Sequence, residues 1–95
     1  MNGIATKKVS GGKLLRVKSI FGERVESVQL TGDFFLHPEE SVSLLEKSLE
    51  GLPASNNPEV FLKHISEALQ KNNIQLIGIS PEDIVETLIQ SFHIS

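Results

Sequence analysis

From Leu14 to Phe21 the chain alternates, with Leu15, Val17 and Phe21 on one side and Arg16 and Lys18 on the other. A period of two marks a strand buried on one face. Phe21-Gly22-Glu23-Arg24 supplies a glycine-containing turn, and Val25 to Thr31 predicts a second strand with Val28 and Leu30 on one face. The two form a β-hairpin. Before them, Lys7 to Ser10 reads as a short extended entry that ends at Gly11-Gly12.

After Thr31-Gly32-Asp33 the period lengthens toward 3.6. Pro38 fits the first turn of a helix, and Glu39 and Glu40 complement the positive end of its dipole. Val42, Leu45 and Leu49, with Leu44 beside them, form the stripe. Gly51 suits a left-handed stop from which Leu52 folds back, so the first helix runs from Glu39 to Glu50. Asn57-Pro58-Glu59 opens a second helix, with Phe61, Leu62, Ile65, Ala68 and Leu69 inward and Asn72-Asn73 at its end. Ile74 to Ile79 is too short to assign by periodicity: a strand or a packed link. Ser80-Pro81-Glu82-Asp83 has the spacing of a capping box and opens a third helix, whose stripe is Ile84, Val85, Leu88, Ile89 and Phe92. Strands followed by three helices predict an α+β fold, a small antiparallel sheet (the hairpin plus one or two short strands) packed against three helices.

Size limits what such a fold can do. The 95 residues (10.4 kDa, 39% hydrophobic) predict one folded domain over residues 1–95, because a second core would need roughly 50 more. Aromatic residues are only five Phe, so stability is marginal and little material remains to wall a catalytic cleft of about 300 Å³. The absence of cysteine excludes disulfides, thiolate metal sites, iron–sulfur ligation and thiol nucleophiles. The basic start lacks a following apolar stretch, and no apolar run approaches the roughly 20 residues of a membrane span, so a cytoplasmic location is expected.

The net charge of −3 conceals a division. Residues 1–30 carry six cations against two acids, and residues 31–95 three lysines against ten acids. This polarity suits either an anionic partner or the solvated face of a hairpin. His37, His64 and His93 do not share metal-ligand spacing, and Glu39-Glu40 and Glu82-Asp83 lie where helix dipoles account for them. No serine lies in a nucleophile elbow. No catalytic or metal-binding residue is therefore assigned. Two stretches stand out. In Gly11-Gly12-Lys13 the backbone amides can approach an anion that the lysine neutralises, or the stretch is simply a turn entering a strand; P-loop spacing is absent. In Asp33-Phe34-Phe35 two adjacent rings cannot face the same side of an extended chain, so one enters the core and the other is left at the surface or at a partner, while Asp33 suits a turn cap.

Together, Ser10-Gly11-Gly12-Lys13-Leu14-Leu15-Arg16-Val17, Leu30-Thr31-Gly32-Asp33-Phe34-Phe35-Leu36-His37-Pro38-Glu39-Glu40, the helix end at Leu49-Glu50-Gly51 and the late Gly78-Ile79-Ser80-Pro81-Glu82-Asp83-Ile84 resemble the C-terminal accessory domain of lipoate-protein ligases, especially the form encoded as a separate small subunit. The resemblance covers nearly the whole chain. It implies a fold like that of the sulfur-transfer and iron–sulfur scaffold accessory proteins, although the missing cysteines exclude that chemistry here. It also implies a non-catalytic partner of a large subunit that binds ATP, magnesium and lipoate, forms lipoyl-adenylate and transfers the lipoyl group to a lysine of an acceptor protein. This chain alone is then expected to bind no cofactor. Gly11, Gly12, Lys13, Asp33, Phe34, Phe35 and His37 are the expected interface, with Lys13 near the anionic substrate or an acidic rim. The competing readings are a free-standing interaction adaptor and a nucleic-acid-binding module using the basic hairpin.

Overall fold

In the computed structural model, which describes residues 1–9, 11 and 13–93, two antiparallel sheets and three helices share one core. Strands β1 (Asn2–Lys8), β2 (Leu14–Phe21) and β3 (Val25–Gly32) form the larger sheet in that order. Strands β4 (Phe35–His37) and β5 (Gln75–Ile77) form a separate pair. Helices α1 (Val42–Ser48), α2 (Pro58–Lys71) and α3 (Pro81–Ser91) complete the chain. Among the described residues, no helix is long and apolar enough to cross a membrane.

The hairpin lies where the alternation places it, with Leu15, Val17, Phe21, Val28 and Leu30 buried. Val25 joins them because Ile20 pairs with Ser27 but Phe21 pairs with Val25, so Glu26 is an extra residue whose bulge turns both Val25 and Val28 inward. The extended entry expected at Lys7 to Ser10 is instead a full strand beginning at Asn2; Ser10 lies outside the described residues. Its inward positions are Gly3, Ala5 and Lys7, which carry no apolar alternation to read.

Those small residues receive α3. A Cβ on Gly3 would collide with the Ser91 carbonyl oxygen. One step across the sheet, the hydroxyls of Ser19 and Ser91 are hydrogen-bonded at 2.7 Å in a fully buried contact. Ser91 also donates to the Leu88 carbonyl at 2.5 Å, and the buried Thr87 hydroxyl to the Asp83 carbonyl at 2.7 Å, so neither helix hydroxyl is left unsatisfied. Outside this seam, Phe92 packs at 4.9 Å from Phe21 and 5.9 Å from Phe61 (ring centroids), joining sheet, α2 and α3. The α3 stripe was thus read correctly in Ile84, Val85 and Leu88, but Thr87 and Ser91 are equally buried and their polarity concealed them.

Both predicted caps form. The Asn57 side chain accepts from the Glu59 N–H at 3.2 Å, and Ser80 and Asp83 exchange the two bonds of a capping box at 3.1 and 3.0 Å. The first helix is shorter than its expected Glu39–Glu50 span. Glu39–Ser41 is a 3-10 turn closed by Ser41 N–H to the Pro38 carbonyl, and Leu49 and Glu50 likewise bond three residues back. Pro38 therefore precedes the turn in extended conformation. Leu45 and Leu49 are fully buried, whereas Leu44 is turned to solvent. Gly51 adopts the expected positive φ (+85°), but its N–H donates to Val25 of β3 instead of closing the helix. Gly51 to Ala54 then runs along the start of β3, and Glu46 accepts from the Leu30 N–H at 2.7 Å, so this sheet edge is covered.

At the other end of the seam, the Lys7 ammonium lies 2.8 Å from Asp83 and 2.9 Å from Glu86. The hydrogen bond from Lys7 holds the Asp83 carboxyl below the usual carboxylate range, and the two acids push Lys7 above the ordinary lysine value. Stability contributed through Asp83 is therefore present at neutral pH and lost as pH falls below about 4. Asp83→Asn is expected to flatten that acid limb in chemical denaturation while lowering stability at neutral pH; an unchanged acid limb would refute the coupling. The seam predicts a larger effect. Gly3→Ala should lower stability by about 2 kcal/mol, a fall in Tm of about 10 °C, whereas Gly22→Ala, which points into open space, should change it by less than about 0.5 kcal/mol. Equal melting of the two variants in calorimetry would contradict the packing.

Candidate functional site

Most residues singled out in the sequence converge at the end of the molecule where β2 begins. Val9 N–H donates to the Lys13 carbonyl at 2.8 Å, closing the loop between β1 and β2 around Gly11, which is exposed with φ +83°. Gly12 lies outside the described residues. The end of β3 approaches this loop closely: a Cβ on Gly32 would collide with the Leu14 carbonyl oxygen, which accepts the Asp33 N–H at 2.8 Å. The Thr31-Gly32-Asp33 stretch thus sets where the two phenylalanines emerge.

They separate as extended backbone requires. Phe34 is half-buried against the core and Phe35 is 61% exposed. Phe35 pairs across the small sheet with Ile77, itself 46% exposed. The Lys13 ammonium lies over the Phe35 ring, 5.8 Å from its centroid. Behind it, Gly78 takes φ +95°, and a Cβ there would stand 3.2 Å from both Cδ and Nζ of Lys13. The segment left open in the sequence is therefore a strand, and its second half completes the patch: Ile77 supplies apolar surface and Gly78 the space in which Lys13 lies. Sequence reasoning missed these two residues, although the late Gly78-Ile79-Ser80-Pro81 stretch contained the signal.

The other singled-out residues do not join them. His37 is exposed on β4 opposite Gln75, and Asp33 is exposed with its backbone holding the turn. His93 bonds Asn56 at 2.9 Å near the end of α3, and His64 is half-buried on α2. Among the described residues, no three His, Asp or Glu side chains are grouped to hold a metal. A groove of about 480 Å³ between α2 and α3 has Leu62, Val85 and Ile89 in its wall and Glu82, Glu86 and His93 among its polar groups. The Lys13 patch is instead an exposed surface of one cation and two apolar side chains, with a small hollow of about 190 Å³ beside Phe34 and Phe35, suited to docking.

No family model matches the chain. Over 76 residues, 79% of this chain and 76% of the relative, it is 29% identical to a Thermoplasma acidophilum protein named lipoate-protein ligase A subunit 2. A solved structure from the same organism, described as an archaeal lipoylation system with a bipartite lipoate protein ligase and its E2 lipoyl domain, matches with TM-score 0.76 and 28% identity over 93% of this chain and 94% of the other.

The Gly78 geometry is testable without any partner. Gly78→Ala strains a positive-φ position and crowds the lysine, so a loss of about 1 kcal/mol is expected, together with movement of Lys13 off the Phe35 ring. Ring-current shifts of the Lys13 methylene protons report that movement by NMR; unchanged shifts would mean that Gly78 does not set the lysine's position.

Proposed function

We infer that this chain, a homologue in sequence and fold of the second subunit of a bipartite lipoate-protein ligase, is the accessory small subunit of such an enzyme and works as a heterodimer with a catalytic subunit. The observation that carries this reading is the match of fold over almost the whole of both chains. The site chemistry supports it: an exposed ring under a lysine is equipped to dock and lacks a nucleophile or acid–base pair.

The role proposed is in ATP-dependent formation of lipoyl-adenylate before transfer to a lysine of the acceptor protein. ATP, magnesium and lipoate are held by the catalytic subunit, whose reaction joins the lipoate carboxylate to the α-phosphate with release of pyrophosphate. Such a step requires carboxylate and phosphate held in line with water excluded. A second domain closing on the site supplies order without donating a reacting group. Phe35 and Ile77 serve as the apolar anchor. Lys13, held beside them, faces an acidic rim or the anionic substrate.

Reconstitution tests this reading. Adding the chain to the catalytic subunit should raise pyrophosphate release on lipoate activation. Phe35→Ala should weaken the complex at least tenfold, as expected for a central aromatic anchor, and Lys13→Ala should do so less. At a partner concentration of about 100 times Kd, the chain should gain about 2.7 kcal/mol of stability by mass action. Normal complex formation and rate in both variants would remove the patch from the interface. No complex, and no gain in adenylation, would remove the accessory role itself.

A further inference from the structure

The three helices pack to one side of the larger sheet, α3 on β1 and β2 and α1 against β3, and among the described residues no layer covers the other face. That face is not an ordinary solvated surface. Its outward positions on β1 and β2 include Lys8, Arg16 and Lys18 together with Ile4, Leu14 and Ile20. Ile4 is 58% exposed, Ile20 45% and Leu14 42%. The register interleaves the two kinds, with Lys18 opposite Ile4 and Lys8 opposite Leu14. A shallow depression of about 300 Å³, bordered by Asn2, Lys18, Ile20, Ser27 and Gln29, lies on the same sheet.

The charges on this face are uncompensated. Among the described residues, ion pairs are made by Lys7, on the inward side of β1; Lys8, Arg16 and Lys18 enter none. Outside the Glu26 bulge, no outward strand position carries a carboxylate. The helix side holds the excess of acids, so the molecule presents a positive, part-aliphatic face within a chain of net charge −3.

Continuity and size indicate what covers it. Phe35, Ile77 and Lys13 cannot supply the roughly 800 Å² per partner of a standard stable interface. Lys13 turns toward Gly78 and the next residue, Leu14, turns outward, so the two surfaces meet around the start of β2, and the outward one runs from there along eight strand residues, about 27 Å. We propose that the outward face of β1–β3 continues the Phe35 patch as a single docking surface for the catalytic subunit, whose complementary face carries carboxylates around an aliphatic centre. This rests on the accessory-subunit reading above. A nucleic acid fits less well, because no aromatic ring stands on the face for base stacking and exposed isoleucines gain nothing from a phosphate backbone.

The test is binding of the catalytic subunit to the whole chain, with Kd measured across a range of salt concentrations. The Arg16→Glu/Lys18→Glu pair is exposed and should leave the circular dichroism spectrum and melting essentially unchanged, while raising Kd at least tenfold and flattening its salt dependence. Lys63→Glu, on exposed α2 surface, should leave binding unchanged. If the wild-type chain binds and stimulates adenylation but the double variant shows the same Kd and salt slope, this surface assignment fails while the accessory role stands. If the wild-type chain forms no complex, the accessory role fails and this assignment with it. If the double variant loses affinity for a mixed-sequence single-stranded oligonucleotide yet keeps its affinity for the catalytic subunit, the face serves nucleic acid and the proposal is overturned.

Discussion

Helix α3 lies on β1 and β2 because the side chains between them are reduced to Gly3, Ser19 and Ser91. With no Cβ at Gly3, the last turn of the helix approaches the strand backbone closely, and where water is excluded the Ser19 hydroxyl donates to Ser91, whose own proton goes to the Leu88 carbonyl. Lys7 fixes the opposite end through two carboxylates one helical turn apart. These contacts position the start of α3, and its capping box sets where the chain arrives from β5. Strand β5 in turn carries Ile77 beside Phe35 and Gly78 beneath Lys13. A seam of small residues on one side of the molecule therefore determines the geometry of the exposed patch at the end of the sheet.

The same packing produces sidedness. Because α1 and α3 both lie on the inward face and α2 bridges them, the apolar material of a small domain is concentrated in one layer. The edge of β3 is covered by Gly51 to Ala54 and by Glu46. The outward sheet face and the loops around Phe35 stay open, as do the groove between α2 and α3 and the outer edge of β1. Three phenylalanines, Phe21, Phe61 and the half-buried Phe92, pack together at tilted angles on the core side. Leaving Phe35 outside deprives so small a core of a large apolar side chain, which is the expected signature of surface kept for association instead of folding.

Much of this was legible in the sequence, and the remainder was hidden for identifiable reasons. The hairpin, the second and third helices and their caps follow from periodicity and from Asn57, Pro58, Ser80 and Asp83. Strand β1 was not visible because its inward residues are Gly3, Ala5 and Lys7, and pattern reading depends on large apolar side chains. Thr87 and Ser91 escaped the core assignment for the related reason that a close helix–sheet approach selects small residues whatever their polarity. The first helix was overextended because 3-10 turns flank a short α segment and use the same residue types. Lys13 and Phe35 were each marked as unusual, but that they meet, and that Ile77 and Gly78 complete the group, depends on a pairing between strands forty residues apart that no local pattern encodes.

Division of an enzyme between two chains changes what the smaller one must carry on its surface. A domain joined by a linker meets its partner at an effective concentration of about a millimolar whatever its charge. A separate subunit has only its own surface, and opposite charge is the means of raising encounter rate when both partners are dilute. Lys8, Arg16 and Lys18, which enter no ion pair among the described residues, suit that requirement, and the proposed anchor of Phe35 and Ile77 suits the distinct one of slowing dissociation once contact is made. Cations are favoured outside because hydration there makes them inexpensive, and aliphatic side chains grouped among them gain from burial only when a partner covers them. Under the accessory-subunit reading proposed above, the mixed character of the sheet face suits a subunit that must first find its enzyme and then hold it.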